Sequence, residues 1–148
     1  MLKPQIFFIE LAVSNKAKYV CDIAELLFNK NQQIHIYTEQ LKDANLLDQL
    51  LWTWKQDSFI PHTRYHEAND DAVLIYTGQE ICDKSDALIL FDPVDSQVFL
   101  NYKYIIDFAE TYDKKRLQAS RLRFKEARDS SLYEIEFLKL GAFLHKDF

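Results

Sequence analysis

Two apolar runs constrain the fold more than anything else in the chain. Residues 72–76, AVLIY, and 87–91, ALILF, contain no polar position except the hydroxyl of Tyr76. A strand that reads apolar on both alternating faces is covered on both, which is the situation of a central strand in a parallel sheet flanked by helices. Parallel neighbours need crossover connections of a dozen residues or more, usually helical. The remaining segments supply them. QIFFI at 5–9 predicts a first strand, and Ser14 is placed to cap a helix through Asn29, with Tyr19, Ile23, Leu26 and Leu27 on one face. QIHIY at 33–37 predicts a second strand. A helix beginning at Thr38 follows, with Leu41, Leu46, Leu47, Leu50 and Leu51 as its apolar stripe and Trp52 near its end. Residues 58–62, SFIPH, form an extended piece, because the residue before a proline is pushed out of the helical region. Residues 63–71 read as a polar loop.

Pro93 ends the run at 87–91, and Asp95 can cap a short helix near 96–102. YIIDF at 104–108 predicts a further strand and 113–128 a strongly basic helix. The following LYEIEFLKL, residues 132–140, reads as an edge strand or a short helix. The alternation predicts one α/β domain over residues 1–148, an open and largely parallel Rossmann-like sheet with helices on both faces.

That outline usually carries a glycine-rich phosphate loop, and here the composition decides. The 148 residues include two glycines, Gly78 and Gly141, against roughly 10 at the usual ~7%. So few, so far apart, cannot let a string of backbone amides close around a phosphate, and no nucleotide or other cofactor is expected. Cys21 and Cys82 have neither a metal-site spacing nor each other for a neighbour, and are expected to be reduced structural thiols. The apolar start is broken by Glu10 and lacks a cleavage site. No run reaches the ~18 residues of a membrane span, so a cytoplasmic location is expected.

The histidines do not assemble a catalytic or metal site. His35 lies between Ile34 and Ile36 and reads as a satisfied wall residue. His62 and His66 are four apart, but Pro61 and the polar composition oppose a helical pair, and His145 is near a terminus. No nucleophile elbow, zinc helix or nucleophile–base pair is present, so neither catalytic residues nor a metal are expected.

Charge is uneven. Residues 114–128, KKRLQASRLRFKEAR, hold seven basic residues and one acid, a local net of +6; the whole chain carries −5, so the rest sums to −11. Such a run is either a solvated helix face or one localised basic site for an acidic partner. Aromatics make up 14% of the chain, and Trp52, Trp54 and Phe59 cluster with Ile60 and Pro61. The cluster reads either as core or as an exposed interface patch.

The segment LLDQLLWTWKQDSFIPH and the late helix ASRLRFKEAR together resemble the chi subunit family of the bacterial DNA polymerase III holoenzyme. The resemblance rests on Trp52, on Ser58-Phe59-Ile60-Pro61-His62, and on Arg121, Arg123, Phe124, Lys125 and Arg128, with Ser130-Ser131-Leu132 where the family often has a glycine. It implies a non-catalytic adaptor with two partners. One is the psi subunit, which links chi to the clamp loader, and the expected contacts are Trp52, Phe59, Ile60 and Pro61. The other is the acidic C-terminal tail of single-stranded DNA-binding protein, which ends in a phenylalanine carboxylate. For that tail the expected contacts are Arg116, Leu117, Arg121, Arg123, Phe124, Lys125 and Arg128.

At 100° per residue, Leu117, Ser120, Phe124 and Ala127 share a narrow face, with Arg121, Lys125 and Arg128 on the strip beside it. Such an apolar strip edged by cations suits an acidic peptide with an apolar end. Arg116 and Arg123 project to the other side, where steering the peptide is the expected role, and Leu117 stands where the family often has a lysine. Two alternatives stay open: direct binding of nucleic acid, against which the −11 body argues, and an α/β enzyme with an unrecognised site.

Overall fold

The computed structural model describes residues 3–53, 60–64, 71–81 and 83–148. Seven strands form one open sheet, every pairing of which is parallel. In chain order they are β1 (Gln5–Leu11), β2 (Ile34–Thr38), β3 (His62–Arg64), β4 (Val73–Thr77), β5 (Ala87–Leu90), β6 (Tyr104–Glu110) and β7 (Glu134–Lys139). In space the order is β3-β4-β2-β5-β6-β1-β7. The helices are α1 (Lys16–Asn29), α2 (Leu41–Thr53), α3 (Lys114–Ser130) and α4 (Leu140–Leu144), with a 3-10 helix over Ser96–Asn101.

Strand periodicity divides the core into two layers. Phe7, Ile9, Leu11, Ile36, Ile75 and Phe108 point to the face covered by α1, α2 and α4. Ile6, Phe8, Tyr37, Tyr76, Leu90 and Ile105 point to the other, where α3 and the 3-10 helix pack. The apolar runs that predicted central strands become β4 and β5, on either side of β2.

Several boundaries differ from the expectation. Thr38 does not open α2 but completes β2, pairing with Thr77 and donating its hydroxyl to the Tyr76 carbonyl at 2.8 Å. Asn15 rather than Ser14 is the N-cap of α1, with no side-chain capping bond. Thr63 and Arg64, read as loop, pair with Leu74 and Ile75 as the short edge strand β3. An edge strand has one solvated side, so its polar residues carry no apolar signature. Of the two alternatives for LYEIEFLKL, the edge strand is the one formed, as β7, and α4 begins only at its last residue, Leu140. Asp95 and Asp113 cap as their positions demand, accepting from the amides of Gln97 at 2.9 Å and Arg116 at 3.0 Å.

Candidate functional site

The basic helix α3 packs on β6 and reaches across to β1. Its Ser120 is buried, accepts from the Glu110 amide and donates to the Phe108 carbonyl of β6. One turn on, Phe124 meets Phe8 of β1 edge-to-face, with ring centroids 5.1 Å apart. The stripe Leu117, Ser120, Phe124 and Ala127 is therefore the sheet-facing side of the helix. This corrects the expectation of an apolar strip free to receive a peptide: the stripe is used in packing, and of it the half-buried residues Leu117, Phe124 and Ala127 retain some exposure.

Arg123 is the second correction. It does not project as a steering arm but reaches down to β6, where Nε and Nη2 lie 2.8 and 3.1 Å from the two carboxylate oxygens of Asp107. Its side chain is only 24% exposed and Asp107 is buried. Desolvation lowers the guanidinium pKa, but the bonds and charge of Asp107 outweigh it and leave the net shift upward. A buried carboxylate requires such a partner, so Arg123 pins the helix to the sheet.

Because Arg123 points to β6, the opposite flank of α3 is turned towards β7. That flank carries Arg121, Lys125 and Arg128, all exposed. Arg128 lies 3.3 Å from Asp129, its sequence neighbour, in a contact open to solvent. Arg116, near the helix start, is exposed and 3.8 Å from buried Glu110, which also binds Lys16 of α1.

The aromatic cluster resolves into parts. Trp52, at the end of α2, is 59% exposed and packs edge-to-face on His62, with centroids 4.9 Å apart. Pro61 is half-buried. Ile60 is 1% exposed and belongs to the main core, so it supports the patch from beneath and has no free face for a partner. Phe59 and Trp54 lie outside the described residues.

Sequence reasoning missed what His62 does. It is buried, with Nδ1 2.7 Å from the Ile60 carbonyl and Nε2 3.0 Å from the Asp48 carboxylate, so it clamps β3 to α2 directly under Trp52. The i, i+14 relation between Asp48 and His62 has no local sequence signal. Sequence reasoning also missed Phe137 of β7, an aromatic 53% exposed on the α3 side of the sheet.

His35 matches its expectation: it is buried, with Nδ1 2.7 Å from the Tyr102 hydroxyl, and burial pushes its pKa down to about 4. Cys21 is a buried free thiol raised to about 12 by desolvation; Cys82 and His66 lie outside the described residues. His145, expected at a loose end, lies with Nδ1 2.7 Å from the Gly141 carbonyl. Among the described residues, no cluster of three or more metal-ligating side chains occurs, and no helix is long and apolar enough to cross a membrane.

The structure thus defines a Rossmann-like α/β protein whose late helix turns a cationic flank towards one edge of the sheet. The chain belongs to the family of the DNA polymerase III chi subunit, HolC, whose profile matches residues 4–134. The family's own description ties its members to DNA polymerase III. A comparison with curated proteins found no match. Among solved structures, the crystal structure of T4 UvsW is similar with a TM-score of 0.63 at 10% identity, over 93% of this chain and 41% of that one. At that identity the likeness is one of fold. The chain spans well under half of that structure's length.

Proposed function

We propose that this chi-family protein is a non-catalytic adaptor that bridges the clamp loader, through psi, to the acidic C-terminal tail of single-stranded DNA-binding protein. The observation that carries the reading is the flank of α3: Arg121, Lys125 and Arg128 stand exposed together, while Arg123, between the first two in sequence, is withdrawn into a pair with Asp107. Exposed cations beside a half-buried aromatic suit a peptide with carboxylates and an apolar last residue. On the opposite edge of the sheet, exposed Trp52 and half-buried Pro61 offer psi an aromatic contact over the His62 clamp.

Titration of a fluorescent acidic peptide ending in phenylalanine, at two salt concentrations, tests the tail contact. Affinity should fall with salt, because the Debye length shrinks from ~10 Å at 0.1 M to ~3 Å at 1 M, and should persist in part through the apolar end. Arg121→Ala or Arg128→Ala should each cost on the order of 1.5–3 kcal/mol. Binding indifferent to the terminal phenylalanine would reduce the flank to a diffuse anion surface. Copurification of psi with wild type but not with Trp52→Ala would support the second contact, and equal recovery would remove it.

A further inference from the structure

The cationic flank faces a strand whose second edge no strand covers among the described residues. β7 pairs with β1 alone. Glu134 donates its amide to Pro4, so in the parallel ladder Glu134, Glu136 and Leu138 bond to β1, and the main-chain groups of Ile135 and Phe137 point outwards. The side chains divide with equal regularity. Glu134, Glu136 and Leu138 lie on the α1/α4 face, where Glu136 is 3.1 Å from Lys146, while Ile135, Phe137 and Lys139 lie on the α3 face. The acids of the strand are thus turned away from α3, and an apolar and basic surface is turned towards it.

Phe137 is the register partner of Phe8, the residue on which Phe124 packs. Phe8 and Phe137 therefore stand side by side in one row across the sheet, with Phe124 packed over Phe8 and Phe137 outermost and 53% exposed. On the helix flank above that row, Arg121 lies one turn to one side of Phe124 and Arg128 one turn to the other.

We propose that the acidic tail binds on this shelf as an added strand. Its main chain pairs with the outward groups of Ile135 and Phe137, its terminal phenylalanine rests on Phe137 against the edge of Phe124, and its carboxylates face Arg121, Lys125 and Arg128. Main-chain pairing supplies the register and alternate side chains the specificity, as in other strand-addition sites. The inference rests on the adaptor reading, and it adds the strand edge and an aromatic floor that a cationic helix alone does not require.

The test uses the full chain and an acidic peptide ending in phenylalanine. Phe137→Ala should weaken binding about tenfold or more while leaving the melting curve unchanged, since the side chain is half exposed. A peptide lacking its last residue should lose affinity for wild type but little further for Phe137→Ala, because the two changes delete one contact. Hydrogen exchange followed by NMR should show the Ile135 and Phe137 amides protected only with peptide bound. Wild-type affinity in Phe137→Ala, or unprotected amides under saturating peptide, would overturn the shelf while leaving the adaptor intact. Failure of wild type to bind the peptide at all would overturn both.

Discussion

Arg123 of α3 and Asp107 of β6 are joined by two hydrogen bonds, at 2.8 and 3.1 Å, beneath a helix whose other cations are exposed. One arginine of the basic run therefore acts in the fold, and its sequence neighbours are left to act on its surface. Arg123→Ala would leave a buried carboxylate unpaired, at a cost of about 3 kcal/mol. Replacing both partners, as Arg123→Met with Asp107→Leu, should restore most of that loss. Arg121→Ala and Arg128→Ala should stay within about 0.5 kcal/mol of wild type. Urea unfolding of the four variants checks this ordering. Equal stability in Arg123→Ala would refute the pin.

His35 makes stability depend on acidity. It is buried against Tyr76 and Tyr102, and desolvation lowers its pKa from 6.5 to about 4, with a smaller opposing effect from Asp83. The folded state thus favours the neutral ring more than the unfolded chain does. The contribution is fully present above the unfolded pKa and is lost as pH falls from about 6.5 towards 4, an effect on the order of 3 kcal/mol. Unfolding midpoints between pH 7 and pH 4 should fall more steeply for wild type than for His35→Gln. Parallel curves would show that His35 charges freely in the native protein.

The central sheet was legible because burial on both faces leaves an uninterrupted apolar run, as in AVLIY and ALILF. β3 was not, since Thr63 and Arg64 are stabilised by pairing with β4 rather than by their own burial. For the site, a helical projection correctly placed Leu117, Ser120, Phe124 and Ala127 on one face and Arg121, Lys125 and Arg128 beside it. The projection could not say which face meets the sheet, because that depends on Phe8 and Asp107, more than ten residues distant in sequence. Hence the packing stripe read as a binding strip and Arg123 as an arm. Phe137 gave no signal, because alternation in EIEFLK marks it as apolar without showing that no helix covers it.

Ser131 ends α3 in the left-handed conformation, φ 59° and ψ 15°, with its amide bonded to the Arg128 carbonyl at 3.3 Å. In that conformation a side chain is strained and glycine is not. Ser131→Gly should stabilise the protein by about 1 kcal/mol and raise its melting temperature by about 3 °C. A lower melting temperature would mean that the serine side chain contributes more than the strain costs.

Trp52 and Ile60 separate surface from core within one sequence motif. Trp52 is 59% exposed, resting on His62, whereas Ile60 is 1% exposed and packed within the main core. Ile60→Ala removes buried methylenes and leaves a cavity, so it should cost about 2–5 kcal/mol. Trp52→Ala deletes a side chain that is mostly in water, and its cost should be below about 1 kcal/mol. Capture of psi should show the reverse order once compared at a temperature where both variants remain folded. Trp52→Ala should lose it, because truncating an interface tryptophan costs about 2 kcal/mol or more, while folded Ile60→Ala should retain most of it. Chemical denaturation and copurification of the same two proteins measure both halves. Should Trp52→Ala unfold as readily as Ile60→Ala and still capture psi, Trp52 would be a packing residue and the aromatic contact would lie elsewhere.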